Sequence, residues 1–311
     1  MDEMHERTDE ELKSLEKRLA REYAQASKEM KKKQKDFMAD YQKQLKKKKK
    51  DLQSGKIDED EFRDWCKDQA LKKRWIDSMT NRLADDLTHV NKIAIDMIND
   101  ELPTVYAENY NFGTYEVESN TNIDTDFTLY DQDTVKQLAE GYVKPNLDIA
   151  KDLRWNTQKI NSALVQGILQ GESIPQIAKR LSQVAAMSHN AAVRNARTYV
   201  TGTENSARIA SYDRAEKLGI ELKKEWVATI DGRTRMSHRL LDGVAVDVDE
   251  KFPNGLMYPA DQDGEPAEYY NCRCTLIATF EEVADDVGER WIRGDISYED
   301  WKAGKDLKHR R

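Results

Sequence analysis

The chain has 311 residues, of which 38% are hydrophobic and 35% charged, and its mean hydropathy of −0.87 indicates exposed helices rather than one thick core. Its first 50 residues hold 16 Lys and Arg against 11 Asp and Glu, a net charge of +5, so the other residues carry −13 of the total of −8. The sequence has no apolar run of about 18 residues and no apolar leader, and its three cysteines lack framework spacing. These features exclude a membrane span and predict a protein kept in a cytoplasm.

The first predicted element is a long amphipathic helix from Leu12 to Ser54-Gly55. Its apolar residues recur at spacings of three, four and seven on one stripe: Leu15, Leu19, Tyr23, Ala26, Met30, Phe37, Tyr41 and Leu45. Five consecutive lysines lie near its end: Lys46, Lys47, Lys48, Lys49 and Lys50. Such a run is typical of a solvated helix end, and it is also a candidate contact for nucleic-acid phosphates. The acidic residues among the lysines favour non-specific rather than base-specific DNA binding.

The pattern then predicts further helices. Asp58-x-x-Glu61 and Ser297-x-x-Asp300 have the form of helix starts. Residues 71–102 carry apolar side chains at helical spacing, and Pro103 is expected to end that helix. Helical signals resume at residue 133 and run to Gly141, and a further helical set begins after Pro145 and ends at Gly171. A later helix is expected to end at Gly219 as a C-cap. The helix that ends at Gly219 carries four arginines: Arg194, Arg197, Arg208 and Arg214. Solvation and i,i+4 pairing are expected for them, with a nucleic-acid or portal surface as the alternative.

Three short strands with glycine turns are predicted near the end of the chain, at residues 226–230, 244–248 and 274–280. Glu281-Glu282 is expected to begin an acidic helix. The fold class is therefore α+β, an elongated and mainly helical N-terminal region with a small C-terminal α+β domain. The expected boundaries are a long amphipathic helical region at 1–102, an irregular connection at 103–132, a helical domain at 133–220 and the α+β domain at 221–311.

A candidate site lies in this last region. Cys272-Arg-Cys274 places both thiols on the same side of an extended segment, and with His238 they are three soft ligands suited to zinc, with Asp231 or Asp242 as a fourth. The alternative is structural, with the thiols packed as small apolar groups and His238 bonded to a turn. A thiol-dependent hydrolase is a further alternative, although no oxyanion motif accompanies Cys272.

The same region resembles the phage Mu F-like head morphogenesis family. The resemblance rests on one ordered set of residues: Trp226, Thr229, Asp231, Arg233, Thr234, His238, Leu241, Asp242, Gly243, Phe252, Pro259, Asn271, Cys272, Arg273 and Cys274. It extends more weakly upstream to Leu169 and so covers roughly the last half of the chain. Many family members carry a C-x-x-C and a His-Pro pair at positions that are here Arg235, His238, Tyr269 and Tyr270, so the resemblance does not imply a complete four-ligand metal site.

The resemblance implies a structural, non-enzymatic minor head protein of a tailed bacteriophage. Such a protein is expected in the capsid interior of the virion, and in the host cytoplasm during assembly. Its expected partners are the portal protein, capsid or scaffolding proteins and DNA bound without sequence preference, and its expected role is in head assembly and DNA packaging or ejection. The alternatives are a zinc- or thiol-dependent enzyme centred on His238, Cys272 and Cys274, and a free-standing non-specific DNA-binding protein.

Overall fold

A computed structural model of the chain describes residues 2–121, 123–137, 142–280 and 296–309. Long helices precede a small antiparallel sheet, so the α+β fold class is confirmed. The helices are α1 (Glu3–Phe37), α2 (Ala39–Gln53), α3 (Glu59–Leu71), α4 (Lys73–Thr121), α5 (Gln132–Gln137), α6 (Ile149–Leu169), α7 (Ile174–Lys217), α8 (Met236–Leu241), α9 (Pro266–Tyr269) and α10 (Tyr298–His309). The strands are β1 (Lys223–Val227), β2 (Ala245–Asp247) and β3 (Thr275–Thr279). Among the described residues, no helix is long and apolar enough to cross a membrane.

The chain forms two compact units, each assembled from separate segments. The helical unit comprises Glu16–Asp96 and Asn146–Val193, and the mixed unit comprises Met1–Leu15, Met97–Pro145 and Arg194–Arg311. The four consecutive regions expected from the sequence do not coincide with these units, because α1, α4 and α7 each contribute residues to both.

The predicted apolar stripe forms part of the core of the helical unit. Leu19, Tyr23 and Met30 of α1 are buried, as are Tyr41 and Leu45 of α2. The single helix expected here is divided by a turn at Met38. Because of that turn Met38 is fully buried while Phe37 is only half-buried.

A buried polar network also holds the helical unit together. The Tyr23 hydroxyl donates to Asn91 Oδ1 at 2.7 Å, and the Asn91 amide donates to both oxygens of Asp152 at 3.0 Å. Asn156 donates to Asp152 Oδ2 at 2.9 Å and to Thr88 Oγ1 at 2.8 Å. These bonds link α1, α4 and α6. The bonds between different helices join residues 61 or 68 positions apart, so a helical period does not reveal them.

The expected helix end at Pro103 is wrong, because α4 continues through this proline to Thr121. A proline inside a helix removes one backbone hydrogen bond and costs about 3 kcal/mol. Burial of Val105, Tyr106, Phe112 and Val117 in the mixed unit outweighs that cost. In the expected connection 103–132, only residues 123–131 lack regular structure among those described.

Several helix ends match the sequence signals. Asp58 and Glu61 form a reciprocal capping box at the start of α3, and Ser297 Oγ lies 2.8 Å from Asp300 Oδ2 before α10. Gly171 and Gly219 have positive φ of +59° and +84° after α6 and α7. The expected helix at Glu281-Glu282 lies outside the described residues.

The sheet of the mixed unit has the order β2-β1-β3, with both neighbours antiparallel to β1. Lys224 of β1 pairs with Val246 and with Ala278, and Trp226 pairs with Leu276. The first strand therefore lies earlier than the predicted 226–230. Trp226 is fully buried in the sheet, whereas Ile230 is 55% exposed because the chain has already left it.

Candidate functional site

The mixed unit brings His238, Cys272 and Cys274 together. His238 lies on α8, and the two cysteines lie in the segment that leads into β3. One ligand atom from each residue lies within 4.8 Å of the others, and all three side chains are buried. The structure thus assembles the three residues named as candidate metal ligands.

Helix α7 positions the cysteine segment. The Asn271 N–H donates to Thr198 Oγ1 at 2.9 Å, and Asn271 has a φ of +60°, which asparagine tolerates better than most residues. The Asn205 amide donates to the Cys274 carbonyl at 3.2 Å and accepts from the Leu276 N–H at 2.9 Å. These bonds attach the Cys-x-Cys segment to α7 on both sides of Cys274.

Both sulfurs face one nitrogen of the histidine. His238 Nδ1 lies 3.6 Å from Cys272 Sγ and 3.5 Å from Cys274 Sγ, and the Cys274 N–H points at Cys272 Sγ at 3.5 Å. Burial raises the pKa of the Cys272 thiol well above its usual value. The hydrogen bond from Cys272, helped by His238, lowers the pKa of Cys274 to about 4. The pair therefore favours one thiol beside one thiolate.

The other histidine nitrogen faces a carboxylate. His238 Nε2 lies 3.2 Å from Glu268 Oε2, within ion-pair distance, although it makes no aligned hydrogen bond with the described residues. Glu268, on α9, accepts from Ser237 Oγ at 3.0 Å and lies 3.4 Å from the Asn254 amide. The sequence analysis missed Glu268, because a lone glutamate in a loop carries no spacing signal.

Neither Asp231 nor Asp242 joins the cluster, so the expectation that one of them is the fourth ligand is wrong. Asp231 forms a two-point ion pair with Arg273 at 2.7 and 2.8 Å, and this bonding lowers the pKa of the carboxyl well below its usual value. Asp242 Oδ1 accepts from the Ala228 N–H at 2.8 Å. Both acids instead stabilise the turns around β1.

The cluster adjoins a cavity of about 20 Å³, lined by the three residues together with Thr229, Arg235 and others. This volume is large enough for one water or one ion. Small-molecule sites commonly measure about 300–1,000 Å³. The arrangement can thus hold an ion, and the cavity is far smaller than a typical small-molecule site.

The lysine run lies on α2 of the helical unit. Lys46, Lys47, Lys49 and Lys50 are exposed and Lys48 is half-buried. By contrast, Lys33 of α1 forms an ion pair, with its Nζ 2.6 Å from Asp86 Oδ2. The five lysines therefore offer accessible positive charge on one short helix.

Arg208 differs from the solvated arginine expected from sequence. It is fully buried in the mixed unit, where its guanidinium donates to both oxygens of Asp2 at 2.8 Å and to the Leu276 carbonyl at 2.7 Å. Glu204 Oε1 lies 3.7 Å from it and also accepts from Thr275 Oγ1 at 2.8 Å. Arg208 is thus excluded from any nucleic-acid surface and holds the start of β3.

The region that holds the site is similar in sequence to a known family. Residues 158–277, which include α8, α9 and the whole cysteine cluster, match the family described as Phage Mu protein F like protein. The resemblance found in the ordered motif is therefore confirmed for these residues.

Two curated relatives extend the similarity beyond that region. The chain is 33% identical over 199 residues to "Minor head protein GP7" of Bacillus phage SPP1, an alignment that covers 60% of this chain and 62% of the relative. It is 30% identical over 201 residues to "NAD(+)--arginine ADP-ribosyltransferase EFV" of Enterococcus faecalis, covering 61% of this chain and 41% of the relative. The chain thus spans less than two thirds of either relative. No solved structure gave a significant match.

Proposed function

We propose that the chain is a structural minor head protein of a tailed bacteriophage, located in the virion. The observation that carries this proposal is the 199-residue similarity to a minor head protein, which is longer than the Mu F-like region alone. The described helices and their buried polar network suit an assembly component, since they place many side chains on rigid elements.

The similarity to an ADP-ribosyltransferase raises a second candidate, an NAD-dependent enzyme. The alignment leaves more than half of that protein uncovered. At the cysteine cluster the adjoining cavity of about 20 Å³ is far smaller than a nicotinamide cofactor requires, so the cluster itself is not a candidate site for that cofactor. We therefore assign the shared region to assembly rather than to ADP-ribosyl transfer.

The proposed partner is the portal protein, with capsid or scaffolding proteins as further contacts. Most apolar stripe residues of the first helices are buried and are therefore not free to contact a portal. Helix α8 offers a different surface, because Met236 and Leu240, one turn apart, are 70% and 74% exposed. We assign portal binding to this pair, which we name the α8 pair.

A binding experiment with the purified portal of the same phage tests this assignment. The full chain should co-elute with the portal oligomer at low and moderate salt, and Met236→Lys with Leu240→Lys should abolish co-elution. Leu71→Lys is the matched control, because Leu71 is 76% exposed on α3 and should not affect binding. Failure of the unaltered chain to bind the portal would count against the function, whereas equal binding by the double variant would only relocate the surface.

A further inference from the structure

We propose that His238, Cys272 and Cys274 bind one zinc ion, that a water molecule is the fourth ligand, and that Glu268 is a positioning residue for His238. The proposal is independent of the head-protein function, since it rests on the arrangement of these four side chains. The metal would connect α8 with the segment that enters β3.

The distances fit a tetrahedral ion. Zinc bonds sulfur at about 2.3 Å and nitrogen at about 2.0–2.1 Å, so tetrahedral angles hold a sulfur and a nitrogen ligand roughly 3.6 Å apart. His238 Nδ1 lies 3.6 Å from Cys272 Sγ and 3.5 Å from Cys274 Sγ. These two sulfur–nitrogen distances therefore match those expected around a shared zinc ion.

Hydrogen bonding alone explains this convergence less well. A neutral imidazole nitrogen has either one lone pair or one proton, so Nδ1 can make one good bond and not two. Both sulfurs nevertheless point at it, and all three side chains are buried. A cation among the three atoms would satisfy all of them, and the Cys274 N–H at 3.5 Å from Cys272 Sγ would further stabilise a bound thiolate.

The carboxylate behind the histidine is a second feature of metal sites. A histidine that binds a metal commonly directs its other nitrogen at a carboxylate, which fixes the ring and its tautomer. His238 Nε2 is buried without an aligned partner among the described residues, and Glu268 Oε2 lies 3.2 Å away. Ser237 and Asn254 hold that carboxylate in place.

The ligand types select the ion. Two thiolates and an imidazole suit zinc, whereas calcium and magnesium require oxygen ligands. Asp231 and Asp242 are occupied by Arg273 and by the Ala228 N–H, so neither supplies the fourth bond. The adjoining cavity of about 20 Å³ has room for a water-sized ligand.

Metal analysis of the full chain, purified without chelator, tests the site. We expect about one zinc per chain by mass spectrometry, lost in Cys272→Ser, Cys274→Ser and His238→Ala. Cys66→Ser is the matched control, because Cys66 is also free and buried but lies on α3. Cobalt bound in place of zinc should give a thiolate charge-transfer band that weakens when either cysteine of the pair is changed.

Glu268→Gln provides a second test of the site if the ligand variants do not fold. It should retain the stoichiometry at saturating zinc but lower the affinity about 10–100-fold in chelator competition. Glu265→Gln, an exposed neighbour, should not change the affinity. Zinc-free wild-type protein that gives no thiolate band with cobalt would overturn the proposal. Equal zinc in the serine variants would also overturn it.

Discussion

The helical unit and the mixed unit are stabilised in different ways. In the helical unit, similar apolar side chains such as Leu19, Leu83 and Leu87 repeat at helical spacing and are fully buried. In the mixed unit, individual polar side chains each hold one place, as Arg208 does at β3 and Asn205 does beside Cys274. Both units thus have a buried apolar core, but in the mixed unit a single buried charge such as Arg208 also fixes the position of a strand.

This difference predicts how each unit responds to substitution. Loss of an apolar side chain leaves a cavity whose cost follows its volume. Loss of one member of a buried polar cluster leaves its partners unsatisfied, which costs more than the contact itself contributed. Changes of similar size should therefore have the largest effects in the mixed unit.

The largest effect is expected from Arg208→Ala. This change leaves Asp2 and Glu204 without their buried cation, and it should lower the free energy of unfolding by about 3–5 kcal/mol. Urea denaturation measures the loss. Arg180→Ala is the control, since its pair with Glu172 is partly exposed and should contribute about 0–1 kcal/mol. Equal losses in the two variants would contradict the comparison.

Leu83→Ala should have the next largest effect. Leu83 is fully buried on α4, and truncation should cost about 2–5 kcal/mol through lost burial and the cavity left behind. Leu71→Ala removes the same atoms from an exposed position and should change the stability by at most about 0.5 kcal/mol. A Leu83→Ala variant as stable as the control would show that the buried apolar side chains of α4 do not stabilise the helical unit.

Acid should weaken the mixed unit through Asp2. Burial alone would raise the pKa of Asp2, but the charge and hydrogen bonds of Arg208 outweigh it and lower the pKa from 3.8 to about 2. Because the folded-state pKa is below the unfolded value, Asp2 contributes stability above about pH 4 and loses it as the pH falls through about 2. The contribution is about 2 kcal/mol.

Unfolding measured between pH 5 and pH 2 checks this prediction. Asp2→Asn should be less stable than the unaltered chain at pH 5, and the two should converge near pH 2. Asp40→Asn, at an exposed position on α2, should follow the unaltered chain throughout. A constant difference between Asp2→Asn and the unaltered chain over the whole range would contradict the assigned role of the carboxylate.

The smallest effect on stability is expected from the lysine run. Replacing Lys46 to Lys50 with glutamine should leave the unfolding free energy nearly unchanged, because most of these side chains are exposed. It should, however, abolish non-specific DNA binding, whose log–log salt slope we expect to be about −0.9 per phosphate contacted. Filter binding at several salt concentrations measures the DNA affinity and its salt slope. DNA binding that survives the substitutions would place the contact elsewhere, for instance at Arg194 and Arg197.

The sequence predicted what depends on local spacing. The stripe through Leu19 and Met30, the capping box at Asp58 and the approach of the two cysteines all follow from helical or strand periodicity. Contacts between distant residues could not be predicted in that way. Arg208 and Asp2 are 206 positions apart, and nothing in their local sequence links them.

Two errors have the same physical origin. Pro103 was expected to end a helix, but the burial of side chains beyond it stabilises the helix against a local preference. Glu268 was not recognised as the partner of His238, because only the folded chain brings α9 beside α8. In both cases tertiary packing determines the structure, and a short stretch of sequence does not contain that information.

The composition of purified phage particles tests the central claim, a structural role in the head, most directly. Particles of the phage that encodes this chain should contain it in a fixed ratio to the portal protein by quantitative mass spectrometry, and it should remain after nuclease and salt washes. Absence of the chain from intact particles, together with NAD-dependent modification of an arginine analogue by the purified protein, would contradict the account.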